Sequence, residues 1–100
     1  DETLVMVTSE FGRTPKINGG AGRDHFAGCY SAVFAGGGIQ GGQVYGKSTP
    51  SGHEPDENGC GPPDLHATIF HAMGIDTHRI LPNSEDLPLA MCDGKPLPLF

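Results

Sequence analysis

The sequence predicts an α/β domain organised on a parallel sheet, and three observations carry that prediction. Leu4-Val5-Met6-Val7 is an unbroken apolar run with a β-branched bias, which suits a strand buried on both faces of a parallel sheet. Asp64 to Met73 carries Leu65, Ile69, Ala72 and Met73 at helical spacing. The polar, glycine-rich segments Thr8 to Pro15 and Gly22-Arg23-Asp24-His25 follow the first strand, and ligands in open α/β sheets bind past the carboxyl ends of strands.

Taken in order, Leu4 to Thr8 is the first strand. Arg13 to Ala27 is a loop long enough to be functional, with Gly12, Gly19, Gly20 and Gly22 letting it fold back. Cys29 to Ala35 reads as a second strand, its apolar content running from Tyr30 to Ala35, and Gly36-Gly37-Gly38 ends it. The two strands are expected to be neighbours in one sheet, with the helix packing its Leu65, Ile69 and Met73 stripe against it. Gly36 to Gly46 lacks the order of a phosphate-binding loop and has no helix directly after it, so turns around Ile39 and Val44 are expected.

Lys47 to Pro63 is rich in Gly, Pro, Ser and acidic residues. His53 and Cys60 are metal-binding residue types, but that composition favours a solvated surface loop. Pro63 or Asp64 can start the helix, and Gly74 can end it in a left-handed conformation. His66 and His71 are five apart and cannot form the i, i+4 pair of a zincin, so they read as surface or interface histidines. Asp76 to Asp86 is a polar loop. Asp93-Gly94 between Leu87 to Cys92 and Lys95 to Phe100 signals a terminal hairpin, whose prolines confine it to an edge.

A chain of 100 residues with Gly 16 and Pro 9 is lean for one domain, since average usage is about 7% and 5%. The first strand stands almost at the start and calls for neighbours on both sides. Residues 1–100 are therefore expected to be the carboxyl-terminal part of a single larger domain, with one face of the sheet poorly covered from within. The net charge of −6 argues against a nucleic-acid partner, because phosphate binding is driven by clustered Lys and Arg and the six basic residues here are scattered. No apolar run approaches the roughly 20 residues of a membrane span. Cys29, Cys60 and Cys92 lack paired C-x-x-C spacing and read as isolated thiols, with a Cys60–Cys92 disulfide as the alternative in an exported protein.

The groups that can do chemistry are Glu10, Arg13, Arg23, Asp24 and His25, expected to converge on one pocket. Asp24-His25 is either part of an active site or a buried carboxylate–imidazole hydrogen bond that pins the loop. Arg13 and Arg23 serve as an oxyanion clamp, as ion-pair partners of Glu10 and Asp24, or as both.

With those residues in view, the chain resembles the carboxyl-terminal portion of the bacterial domain-of-unknown-function family 1501, a branch of the alkaline phosphatase and sulfatase superfamily. The resemblance rests on Thr3 to Pro15, on Gly22 to His25, on Ala35 to Gly46 and on Asp64 to Asp76. It implies a C-terminal fragment of an alkaline-phosphatase-like three-layer sandwich with a mostly parallel sheet. It further implies metal-assisted hydrolysis of a phosphate or sulfate ester, small or polymeric, by divalent cations such as zinc, manganese or calcium. By similarity Glu10 takes the place of an aspartate ligand and His25 that of a histidine ligand, with Asp24 orienting its ring or joining it. Arg13 and Arg23 hold the anion, and the nucleophile and other ligands come from upstream of Asp1. Phe11 stands where the superfamily has a histidine. A catalytically inactive exported protein that keeps the fold is the second expectation, and the resemblance implies a periplasmic or secreted location.

Overall fold

The computed structural model describes residues 2–78, 80, 81, 89, 90 and 92–100. Its strands form four separate two-stranded ribbons, all antiparallel. β1 (Leu4–Val7) pairs with β4 (Val33–Gly36); β2 (Gly12–Arg13) pairs with β3 (His25–Phe26). β5 (Lys47–Ser48) pairs with β6 (Pro55–Glu57), and β7 (Ile80–Leu81) with β8 (Leu89–Ala90). The single helix among the described residues, α1 (Pro62–Ala72), lies between the last two ribbons in sequence. No helix among the described residues is long and apolar enough to cross a membrane.

The expected pairing of the first two apolar strands is present, in the register Leu4 with Gly36 through Val7 with Val33. The second strand is shorter than the apolar pattern suggested, and Cys29 to Ala32 precede it. Burial alternates along β1. Leu4 and Met6 are half-buried, whereas Val5 and Val7 are 53% and 65% exposed and Val33, across from Val7, is 61% exposed. One face of this ribbon is thus bare within the chain, as expected. Gly36, at φ 73, starts the turn that leaves β4, and a Cβ there would collide with the Thr3 carbonyl.

Helix α1 starts at Pro62, one residue before Pro63 and two before Asp64, the two expected starts, and is specified at both ends. Gly61 caps it in an extended conformation, and Pro62 and Pro63 occupy first-turn positions whose N–H groups would go unused. Asp64, at the third helical position, reaches back to accept the Gly61 N–H at 2.9 Å. At the other end Gly74, at φ 74, closes a Schellman motif: its N–H donates to His71 O at 3.0 Å, and the Ile75 N–H donates to Phe70 O at 2.9 Å.

The face that α1 buries differs from the predicted stripe. Ala67 and Thr68 are fully buried, Leu65 and Ile69 are half-buried, and Met73 is 65% exposed. The reason is a segment from residue 92 to 100 that docks on the helix as a strap. Lys95 N–H donates to Asp64 Oδ1 at 3.0 Å, and Leu97 N–H donates to the buried Thr68 Oγ1 at 2.9 Å. Leu97 and Leu99 fill the core beside Ala67. Thr68 in turn donates to Asp64 O at 2.7 Å.

The same strap corrects the terminal hairpin. Asp93-Gly94 is a bend without flanking paired strands, and β8 pairs with β7 instead. Gly94 is there for close approach, since a Cβ would run into the Pro63 carbonyl. The expectations for 82–88 and Met91 fall outside the described residues. Two expected loops, Arg13 to Ala27 and Lys47 to Pro63, contain short ribbons instead. All three cysteines are free thiols. The radius of gyration, 16.5 Å, exceeds the roughly 13 Å of a compact domain of this length, consistent with a thin core.

Backbone N–H groups of Gly61 and then Lys95 hold the Asp64 carboxyl below its ordinary pKa. A depressed carboxylate pKa stabilises the fold above the unfolded value of about 3.9, and the benefit disappears as pH falls through the lower folded value. Asp64→Asn should therefore cost about 1–2 kcal/mol at neutral pH. Melting curves should show the gap between wild type and variant closing as pH falls below the unfolded value and through the lower folded one.

Candidate functional site

The ribbon of β2 and β3 assembles the site. Ser9 Oγ donates to Phe11 O at 2.5 Å, turning the chain after β1 so that Phe11 leads into β2. Gly12 pairs with Phe26 and Arg13 with His25, and Thr14 N–H extends the ladder to Asp24 O at 3.0 Å. Gly12 is required by close packing, because a Cβ there would collide with the Cys29 carbonyl.

Asn18 closes the loop between the strands. Its Oδ1 accepts from Gly20 N–H at 2.9 Å and Gly22 N–H at 3.0 Å, while Nδ2 donates to Asp24 Oδ1 at 2.9 Å. Backbone bonds from Asn18 N–H to Gly22 O and from Ala21 N–H to Asn18 O complete the turn, with Ala21 left-handed at φ 59. An Asn side chain bonding its own backbone two residues on is a standard turn device.

Side chains alternate across a strand, so consecutive residues face opposite sides. Cross-strand partners Arg13 and His25 share one face, together with Phe11, whose ring stacks on the His25 imidazole with centroids 4.1 Å apart and planes 26° apart. Asp24 and Phe26 look to the other face. There an open cleft of about 520 Å³ is lined by Thr14, Lys16, Asn18, Asp24, Phe26 and His53, among others. His53 meets Phe26 edge-on at 6.0 Å.

This arrangement separates residues that the sequence grouped. Asp24 is exposed and bonded to Asn18, so the expected carboxylate–imidazole bond to His25 is not made. The arginines also do something else than expected. Arg13 Nη1 donates to Arg23 O at 3.0 Å; Arg23 Nη1 donates to Thr14 O at 2.8 Å and to Pro15 O. Neither forms an ion pair with Glu10 or Asp24, and the one ion pair among the described residues joins His78 to Asp76. Glu10 is exposed in the bend just before Phe11. Asn18, Lys16 and His53 were not singled out from sequence as site residues. The Asn18-Gly19 turn signal could have located the first, but nothing local to His53 shows that the β5–β6 turn meets Phe26.

On this face His25 is the group able to coordinate a cation, and Glu10 is the carboxylate in the bend before Phe11. Among the described residues, no cluster of three or more His, Cys, Asp or Glu side chains comes together to hold one.

A family model described as "Protein of unknown function (DUF1501)" matches residues 1–98. Searches of the curated proteins and of the solved structures found no match.

The Phe11–His25 stack ties the entry to β2 onto β3 through one half-buried ring, Phe11, and one exposed ring, His25. Phe11→Ala should cost about 1–3 kcal/mol, less than a fully buried phenylalanine, and chemical denaturation reads the loss. Phe11→His, which keeps a ring on His25, should recover much of it.

Proposed function

The chain belongs to the DUF1501 family, and from that membership and the site geometry we propose that it supplies part of a phosphate- or sulfate-ester hydrolase site of the alkaline phosphatase and sulfatase superfamily. In this reading Leu4 to Val7 is a strand of the mostly parallel sheet of that three-layer sandwich, and the site faces an exported, periplasmic or secreted, ester substrate. The observation that carries it is convergence. Two motifs separated in sequence, Glu10-Phe11 and Asp24-His25, meet through the Phe11–His25 ring contact at 4.1 Å.

The donors fit a divalent cation in part. Carboxylate and imidazole suit zinc or manganese, and Glu10 and His25 would hold the ion. Asp24 does not fit as a further ligand, because it is committed to Asn18 and belongs to the opposite face. The remaining ligands and the nucleophile come, in this reading, from residues outside these 100. A cation bound here would polarise the ester oxygen. Arg13 and Arg23 each commit only Nη1 to backbone carbonyls, which fixes the guanidinium and leaves its other N–H groups for the anion.

A second reading, an exported binding protein that keeps the fold without metals, is favoured by Phe11 itself. Its ring covers one side of the imidazole where the superfamily resemblance calls for another histidine.

Metal analysis of the purified full-length protein separates the two. The hydrolase reading expects bound divalent metal that falls in His25→Ala and Glu10→Gln but not in Asp24→Asn, and that is released in acid as the ligands take up protons. If His25→Ala leaves the stoichiometry unchanged and only lowers the melting temperature, the metal-site role is wrong and the binding-protein reading stands.

A further inference from the structure

We propose that Asn58 is a site of spontaneous covalent modification, cyclising onto the backbone nitrogen of Gly59, while the fold protects the chain's other described Asn-Gly pair, Asn18-Gly19. The backbone nitrogen of Gly59 attacks Cγ of Asn58. A new N–Cγ bond forms, the Cγ–Nδ2 bond breaks, and ammonia leaves carrying the amide proton. Water then adds to either carbonyl of the cyclic imide and opens one of its C–N bonds, giving aspartate or isoaspartate. Water is the sole co-reactant, and nothing is oxidised or reduced.

A glycine after asparagine permits this ring closure because no Cβ shields its nitrogen, and both pairs have that feature. What differs is the freedom of the side chain. Asn58 is exposed just after β6 at φ 51, and its amide makes no hydrogen bond among the described residues. The Gly59 N–H donates no hydrogen bond among them either. Asn18 is the opposite case: its Oδ1 is turned onto the N–H groups of Gly20 and Gly22 and its Nδ2 onto Asp24. Rotating its Cγ towards the Gly19 nitrogen would break all of these contacts together.

Modification at Asn58 adds a negative charge beside Asp56 and Glu57. The isoaspartate product also inserts a methylene into the backbone between β6 and the Gly61 cap of α1. The proposal is independent of any ester hydrolase activity.

The test incubates the intact protein at mildly alkaline pH beside the same protein in denaturant, scoring each asparagine by peptide mass spectrometry. In the native protein Asn58 should convert at least about tenfold faster than Asn18, and in denaturant the two rates should draw together. Asp24→Ala, which removes the acceptor for Asn18 Nδ2, should speed Asn18 and leave Asn58 unchanged. Equal native rates, a faster Asn18, or an Asn58 that reacts only in denaturant would each overturn the proposal. The wild-type comparison decides the matter even where Asp24→Ala fails to fold.

Discussion

The Asp64 carboxylate is the interaction on which the described structure turns. One oxygen accepts the N–H of Gly61, fixing where α1 begins, and the other accepts the N–H of Lys95, fixing where the strap crosses it. Thr68, one turn further on, repeats the arrangement by donating to Asp64 O and accepting from Leu97 N–H. Thr68 satisfies the Leu97 N–H at a buried surface, where an orphaned donor costs about 1–3 kcal/mol, while the Asp64 bonds lie at the part-buried and exposed margin. Leu97 and Leu99 are buried because these bonds set their register on the helix. With so few fully buried apolar residues, polar bonds specify the packing more than volume does.

The helix was legible in the sequence because its signals are local: a 3.6-residue period, prolines in the first turn and a glycine at the end. The face it buries was not. Thr68 is buried because a segment 29 residues away in sequence lies on it, and nothing near Thr68 reports that. Asp93-Gly94 gave a sound turn signal whose use was misread, because a glycine needed for close approach to Pro63 looks the same in sequence as one needed for a hairpin. Pairing of β1 with β4 followed from two apolar runs. The ribbons β2–β3 and β5–β6 were missed because strands of two or three residues are too short to display a period of two.

That last limit shaped the site. Adjacent Asp24 and His25 suggest cooperation when read as loop residues, whereas on a strand they are assigned to opposite sides. The result is a ribbon with two chemically distinct faces. One carries Phe11, Arg13 and His25. The other offers a carboxylate, aromatic edges and a lysine around an open cleft. The arginines are used as struts: each guanidinium ties down a backbone carbonyl of the opposite arm of the loop. Both side chains are exposed, so their remaining donors face solvent.

The strap has a consequence for the order in which the chain can acquire its structure. Its bonds span 31 residues to Asp64, 29 to Thr68 and 56 from Leu99 O to Gln43 Nε2. Contacts so distant in sequence must close large loops before they contribute, which slows folding and keeps intermediates open. A ribosome that has delivered α1 but not residues 95 to 99 therefore holds a helix whose inner face has nothing to lie against. Consolidation of this region waits for the strap to emerge, and during that interval Ala67 and Thr68, buried once it docks, are available to chaperones.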